Sequence, residues 1–183
     1  RMLAYSGIAH AGTLLLIIAA GLAGGLEENA LRAALFYMGA YIFTAMGAFG
    51  ILSLLESDGE RFLTIDGIRG LSSSRPGLAA AMALFMLSLG GIPATGGFLG
   101  KLFVFSNLVQ ADMVLIAVLG ALLSVVALAY YLRVLVAMYM QPAEEGATPA
   151  LAARPLTAGL ATAVCVVGVL AMGLMPSWFL GLF

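Results

Sequence analysis

The sequence predicts an all-α, polytopic transmembrane helix bundle with about six membrane helices, one of them broken or short near residues 92–100. Hydrophobic residues make up 63% of the chain and charged residues only 9%, with a mean hydropathy of +1.11. A soluble domain carries about 25% charged residues, so most of this surface is expected to face lipid. Lipid offers no partner to a free backbone group, which restricts the chain to helices or a closed barrel. The apolar runs are long and do not alternate with polar residues, which favours helices.

Two membrane helices are predicted in the first third of the chain. Residues 2–26 contain no Asp, Glu, Lys or Arg and form the first predicted helix. The polar sequence EENALR follows, and Asn29 within it is a candidate N-cap for the second helix, predicted over residues 33–55. Both segments exceed the roughly 20 residues that a membrane span needs.

Charge in the first half of the chain is concentrated in residues 56–76. Apolar residues recur in this segment, at Phe62, Leu63, Ile65, Ile68 and Leu71. Such a stripe fits a short amphipathic helix lying along the membrane surface. An ordinary solvated loop fits equally well, and the sequence does not separate the two interpretations.

The next apolar stretch has an unusual length. Lys101 is the only charged residue among the 36 residues from Pro76 to Ala111. A span needs about 20 residues at about 1.5 Å per residue, so this stretch is too long for one span and slightly short for two. Ile92-Pro93 and Gly96-Gly97 mark a break. We therefore predict a short third helix, a tight turn, and a fourth helix that is short or itself discontinuous.

Two further helices complete the predicted bundle. Residues 113–140 form the fifth, with Arg133 in its final third. Residues 141–154 are a polar linker, and the sixth helix is predicted over residues 155 to about 175. Trp178 follows that helix, where tryptophan suits the membrane–water interface.

Composition and motifs argue against several classes of function. The formal net charge of −1 and the lack of a basic stripe argue against a nucleic-acid partner. The single His and the single Cys stand far apart, so no metal-ligand spacing occurs. No G-x-x-x-x-G-K-[ST] phosphate loop is present, and no flavin, iron–sulfur or quinone site is legible. Cys165 is predicted to be a small buried hydrophobic residue.

Three ionisable residues, His10, Lys101 and Arg133, are predicted to lie at membrane depth. Such groups are costly in lipid and usually face a bundle interior or a hydrated path. Burial disfavours the charged form of lysine, and histidine passes protons through either ring nitrogen. Arginine stays charged. Lys101 and His10 are therefore candidates for loading and releasing protons, whereas Arg133, close to a helix end, is favoured as an interface anchor.

Lys101 lies beside glycines that suit a proton-carrying role. Gly96, Gly97 and Gly100 permit close backbone approach or a helix break. A break frees carbonyl and amide groups that water can solvate, so a hydrated path could reach the Lys101 amine. The alternative, of equal weight, is that Lys101 snorkels to the headgroups.

The other candidate site residues also have two interpretations each. His10 is either a proton relay or a hydrogen-bonded structural residue. Tyr37 and Tyr41 stand four residues apart and share one face of the second helix. Their hydroxyls either bind water in a channel or pack between helices.

Three segments in this order resemble one family: RMLAYSGIAHAG, LSLGGIPATGGFLGKLFVFS and ALAYYLRVLVAMYM. They are similar to the C-terminal part of the antiporter-like membrane subunits of respiratory complex I, and the resemblance covers nearly the whole chain. It implies a second five-helix repeat over residues 1–140, a linker over 141–154 and a final transmembrane helix over 155–183. The chain begins at Arg1, directly before an apolar run, and we expect it to be part of a longer membrane protein.

The resemblance also implies a function. The family's proton-binding lysine falls on Lys101 and its histidine on His10, which implies one proton half-channel of a proton-pumping NADH–quinone oxidoreductase. NAD, flavin, iron–sulfur clusters and quinone would lie in partner subunits, with no cofactor or metal in this chain. The implied partners are other membrane-arm subunits and the lipid of a bacterial inner membrane. Alternatives are a cation/proton antiporter, a membrane-bound hydrogenase subunit, or a non-conducting scaffold.

The sequence departs from the family pattern at three places. Ser6-Gly7 stands where many relatives have a serine pair, and Ile92-Pro93-Ala94 stands where many have Ile-Pro-Pro; we expect both changes to be small. Sister subunits carry histidines at the positions matched to Tyr37 and Tyr41, so a histidine relay is not expected there.

Overall fold

A computed structural model describes residues 2–25, 27–56, 64–142 and 156–181. This part of the chain contains eight helices and no strand, which confirms the predicted all-α bundle. The helices are α1 (Met2–Gly24), α2 (Glu27–Glu56), α3 (Leu71–Ser74), α4 (Pro76–Gly90), α5 (Gly96–Gln110), α6 (Val114–Met140), α7 (Leu156–Leu174) and α8 (Pro176–Leu180). Four of them, α1, α2, α6 and α7, are long and apolar enough to cross a membrane.

The outer surface of the bundle is apolar. Leu115 and Leu123 on α6 are 73% and 68% exposed, and similar side chains cover the outer face of α1. A soluble protein rarely exposes a contiguous apolar surface of this extent. The chain is therefore an integral membrane protein with its helices in contact with lipid.

The second helix begins earlier than predicted. It starts at Glu27 instead of Ala33, so Asn29 lies inside its first turn and is not an N-cap. The physical reason is Glu28 in its first turn, because a negative side chain interacts favourably with a helix N-terminus.

Residues 64–75 fold back against the bundle. Ile68 and Leu71 are buried in its core, and the amide of Gly70 donates to the carbonyl of Ala137 on α6 at 3.1 Å. The regular structure here is the four-residue α3, and residues 64–70 are turns of which the first three are exposed, so no surface helix covers this part of the segment. Phe62 and Leu63 lie outside the described residues, as does most of the predicted linker.

The predicted break is present and separates α4 from α5. Each of these helices has 15 residues, which at about 1.5 Å per residue falls short of a membrane about 30 Å thick. Gly91 closes α4 with a left-handed φ of 82°, and Thr95 caps α5 by accepting a hydrogen bond from the amide of Phe98 at 3.4 Å. The apolar stretch therefore contains two short helices, as predicted.

The two short helices run in series, whereas the sequence predicted a tight turn between them. Their contacts with α2, in order, pair Phe85 with Gly47, Ser88 with Thr44, Gly96 with Ala40 and Gly100 with Tyr37. Residue numbers rise along α4 and α5 while those of their partners fall along α2. The pair therefore runs antiparallel to α2 and forms one interrupted span. Glycines on both sides of these contacts allow the close packing that holds the break against α2.

Ala94 gives the break a conformation that proline cannot adopt. Its φ is 70°, whereas the proline ring fixes φ near −65°. Gly173 of α7 packs directly against the backbone of Ala94 and Thr95. The change from Ile-Pro-Pro to Ile-Pro-Ala, expected from the sequence to be small, therefore alters the permitted backbone at the centre of the span.

Candidate functional site

Lys101 lies in the second turn of α5, and its amine reaches back to the end of α4. The Nζ atom donates to the carbonyl oxygens of Leu89 at 2.9 Å and Gly90 at 3.2 Å. Lys101 is 8% exposed. The last carbonyl groups of a helix have no intrahelical donor, so the break itself creates the acceptors that hold the amine. The side chain ends inside the bundle and does not snorkel.

His10 of α1 lies against the two predicted tyrosines of α2. Its Nδ1 atom is 2.5 Å from the hydroxyl oxygen of Tyr37. Its ring packs on that of Tyr41, with centroids 4.7 Å apart and planes inclined by 34°. Both His10 and Tyr37 are buried. Helix packing thus brings the three residues together, with Tyr37 as the hydrogen-bond partner and Tyr41 as a ring contact.

One cavity joins the two halves of the predicted site. It has a volume of about 380 Å³, and Lys101, His10 and Tyr37 all line it. Ser124 and Tyr131 of α6 also line it. One water molecule needs roughly 10–15 Å³ of such space, so the cavity has room for a chain of several. Lys101 and His10 therefore face the same interior.

Sequence reasoning missed a hydroxyl pair between α1 and α6. The Ser6 and Tyr131 hydroxyl oxygens are 2.5 Å apart, and Ser6 stands one helical turn before His10 on α1. The spacing of Ser6 and His10 placed both on one face of the helix. What the sequence could not indicate was which tyrosine of α6 reaches that face.

A second missed group, Ser88, ties the break to α2. The Thr44 hydroxyl donates to the Ala40 carbonyl at 2.7 Å, so at 3.1 Å it accepts from the Ser88 hydroxyl. Ser88 in turn accepts from the amide of Gly97 at 3.3 Å. These bonds link α2, α4 and α5 at one point. The signal available in the sequence was a lone hydroxyl in an apolar run shortly before the glycines.

The remaining candidates lie apart from this site. Arg133 is on the exposed face of α6, and its role as an interface anchor stays a prediction. Cys165 is buried in the core, as predicted. Among the described residues, no group of three or more His, Cys, Asp or Glu side chains could hold a metal ion.

This chain is an apolar bundle with a buried amine at the break of one span. These features define a class of integral membrane protein in which discontinuous helices hold ionisable groups at membrane depth. Residues 1–127 match the family model described as NADH:quinone oxidoreductase/Mrp antiporter, TM. The chain belongs to this family.

Relatives with known names cover almost the whole chain. It is 43% identical over 182 residues to NADH-quinone oxidoreductase subunit N 1 of Solibacter usitatus, covering 98% of this chain and 36% of the relative. It is 46% identical over 180 residues to subunit N 2 of Roseiflexus castenholzii, covering 97% of this chain and 35% of the relative. The chain therefore spans about a third of the length of the curated relatives it matches.

A solved structure shares the fold. A chain of respiratory complex I from Thermus thermophilus with bound aureothin superposes with a TM-score of 0.78 at 32% sequence identity. The match covers 98% of this chain and 38% of that chain.

Proposed function

We propose that this chain is the C-terminal part of an N-type membrane subunit of a proton-pumping NADH–quinone oxidoreductase, and that Lys101 is its proton carrier. The observation that carries the proposal is the position of the Lys101 amine. It is bound to the carbonyl groups of Leu89 and Gly90 and faces the same cavity as the His10–Tyr37 pair.

The two carbonyl groups suit an amine that exchanges protons without moving. A protonated lysine has three N–H donors, and two of them are used by Leu89 and Gly90. The third is available to water in the cavity. After that proton leaves, the neutral amine keeps two N–H donors for the same carbonyls and turns its lone pair to the cavity. The carbonyl dipoles in turn stabilise the charged form at a depth where charge is costly.

His10 and Tyr37 extend the path from the cavity toward α1. With Nδ1 unprotonated the imidazole accepts from the tyrosine hydroxyl, and with Nδ1 protonated it donates to the same oxygen. The hydrogen bond at 2.5 Å therefore serves both states of the ring. A proton that enters at one ring nitrogen can leave from the other, which is the action of a relay.

The redox chemistry belongs to other chains in this proposal. NAD, flavin, iron–sulfur clusters and quinone are bound by partner subunits, and this chain contributes one half-channel in the membrane arm. Its neighbours are the other membrane-arm subunits and the lipid of a bacterial inner membrane or an equivalent energy-transducing membrane. Relatives named as NADH-quinone oxidoreductase subunit N support this assignment.

Loss of the Tyr37 hydroxyl tests the relay. We expect Tyr37→Phe in the full-length subunit to lower the rate of proton translocation roughly fivefold, because a hydrogen bond contributes about 1 kcal/mol. Phenylalanine keeps the ring, so the packing against Gly100 is retained. The measurement is the initial rate of proton uptake by vesicles that contain the assembled complex, with quinone reduction recorded on the same sample.

Tyr139→Phe provides the matched control, since Tyr139 is exposed near the end of α6. It should leave translocation unchanged. Wild-type translocation by Tyr37→Phe, with Lys101 variants still impaired, would remove His10 and Tyr37 from the path and retain the lysine.

A further inference from the structure

A separate pocket of about 310 Å³ lies at the rim of the bundle, where α2 begins and where α5 and α8 end. Its polar lining includes Arg32 of α2 together with Ser106, Asn107 and Gln110 of α5. Trp178 lies on α8, the helix whose end lines the pocket, and is 65% exposed. Tryptophan is enriched at membrane–water interfaces. The pocket therefore lies at the level of lipid headgroups.

Asn107 brings an unsatisfied acceptor to this pocket. The residue is 6% exposed, and its Nδ2 atom donates to the carbonyl of Phe103 at 2.8 Å. That bond fixes the orientation of the amide, and among the described residues nothing donates to its Oδ1 atom. Buried acceptors in folded proteins nearly always have a donor. An N–H or O–H donor from outside the described residues would satisfy this oxygen.

A pair of opposite charges stands beside the pocket. Arg32 lines the pocket and pairs with Glu28 at 2.7 Å, and their side chains are 46% and 79% exposed. A purely anionic ligand would face Glu28, and a purely cationic one would face Arg32. A zwitterion matches both, and the guanidinium fork of arginine is well suited to phosphate.

We propose that this pocket binds the headgroup of a zwitterionic phospholipid with a primary ammonium group, of the ethanolamine type. The phosphate lies on Arg32 and one ammonium N–H donates to Oδ1 of Asn107. A quaternary choline headgroup carries the same charges and has no N–H donor. Gln110 donates to the Ser106 hydroxyl at 3.0 Å, and both residues line the same pocket as Asn107. Because both side chains are exposed, they can turn aside as the ammonium enters. This assignment is independent of the proposed proton path.

A methylation series of lipids tests the proposal on the unaltered full-length protein. Purified, delipidated protein is equilibrated with short-chain phosphatidylethanolamine, its N-methyl and N,N-dimethyl derivatives, and phosphatidylcholine, and the bound lipid is counted by native mass spectrometry. We expect the first three to be retained alike and phosphatidylcholine about tenfold less, because only the last methylation removes the hydrogen bond. Equal retention of all four would overturn the proposal. Displacement by millimolar phosphoethanolamine would instead overturn the assignment to a membrane lipid.

Two variants separate the ammonium contact from the phosphate contact. Asn107→Leu removes the acceptor at similar volume and should lower retention of phosphatidylethanolamine to that of phosphatidylcholine. Arg32→Gln should weaken both lipids by the same factor and keep their ratio. Thr162→Val, a buried polar-to-apolar change on α7 outside the pocket, should change neither. An unchanged ratio of bound phosphatidylethanolamine to bound phosphatidylcholine in a folded Asn107→Leu protein would contradict the proposal. If that variant does not fold, the methylation series on the unaltered protein decides.

Discussion

Lys101→Ala is expected to abolish proton translocation by the full-length subunit in its assembled complex. The site loses the amine that the carbonyl groups of Leu89 and Gly90 hold, and no other titratable group described at the break replaces it. Removing a positioned acid or base typically costs about 10²–10⁴-fold in rate, so we expect a loss of at least about 100-fold. The measurement is the rate of proton uptake in reconstituted vesicles, with quinone reduction and assembly of the complex checked on the same preparation.

Lys101→Arg separates proton exchange from simple anchoring. Arginine keeps the positive charge but does not release its proton near neutral pH, so we expect translocation to remain as low as in Lys101→Ala. Arginine also carries N–H donors for the carbonyl groups of Leu89 and Gly90, so a role for Lys101 as a fixed cationic donor predicts wild-type translocation instead. That second result would remove Lys101 as the carrier.

Arg133→Ala is the control for loss of a cation from the bundle. Arg133 lies on the exposed face of α6, away from the break. We expect this variant to translocate protons like the wild type. If it failed as severely as Lys101→Ala, the effect would reflect loss of positive charge in general.

Gly97→Ala is expected to open the break between α4 and α5. A Cβ atom on Gly97 would overlap the carbonyl group of Ser88, and that neighbour is backbone and cannot turn aside. Overpacking of this kind costs about 1–3 kcal/mol. As α5 moves away from α4, the Lys101 amine also leaves its two acceptors. We therefore expect a lower free energy of unfolding in detergent together with a strong loss of proton translocation.

Gly77→Ala is a matched control for this change. Gly77 and Gly97 are each the second residue of a 15-residue helix, but nothing lies within 4 Å of a Cβ built on Gly77. Alanine favours a helix over glycine by up to about 1 kcal/mol, so this variant should be neutral or slightly more stable. Equal destabilisation by both variants would show that Gly97 acts through the flexibility of glycine and not through close packing.

Properties of single segments were predictable from the sequence. The low content of charged residues indicated that lipid covers most of the surface. The lengths of the apolar runs indicated where the long spans lie. The 36-residue stretch predicted the break, because it fits neither one span nor two. Lys101 was recognisable as a candidate site residue because a lone amine in such an apolar run needs a polar partner. Each of these inferences uses only the local composition of the chain.

Contacts between helices were decided by the tertiary structure alone. The sequence placed His10, Tyr37 and Tyr41 on helix faces, but it did not indicate that Tyr37 binds the imidazole while Tyr41 packs on the ring. It also did not reveal that α4 and α5 run in series, or that Ala94 between them adopts a φ of 70°. The same holds for the hydroxyl pair of Ser6 and Tyr131. The physical reason is that a partner in another helix depends on the rotation and axial shift of both helices. The packing of the whole bundle sets this rotation and this shift, and neither can be deduced directly from composition or periodicity.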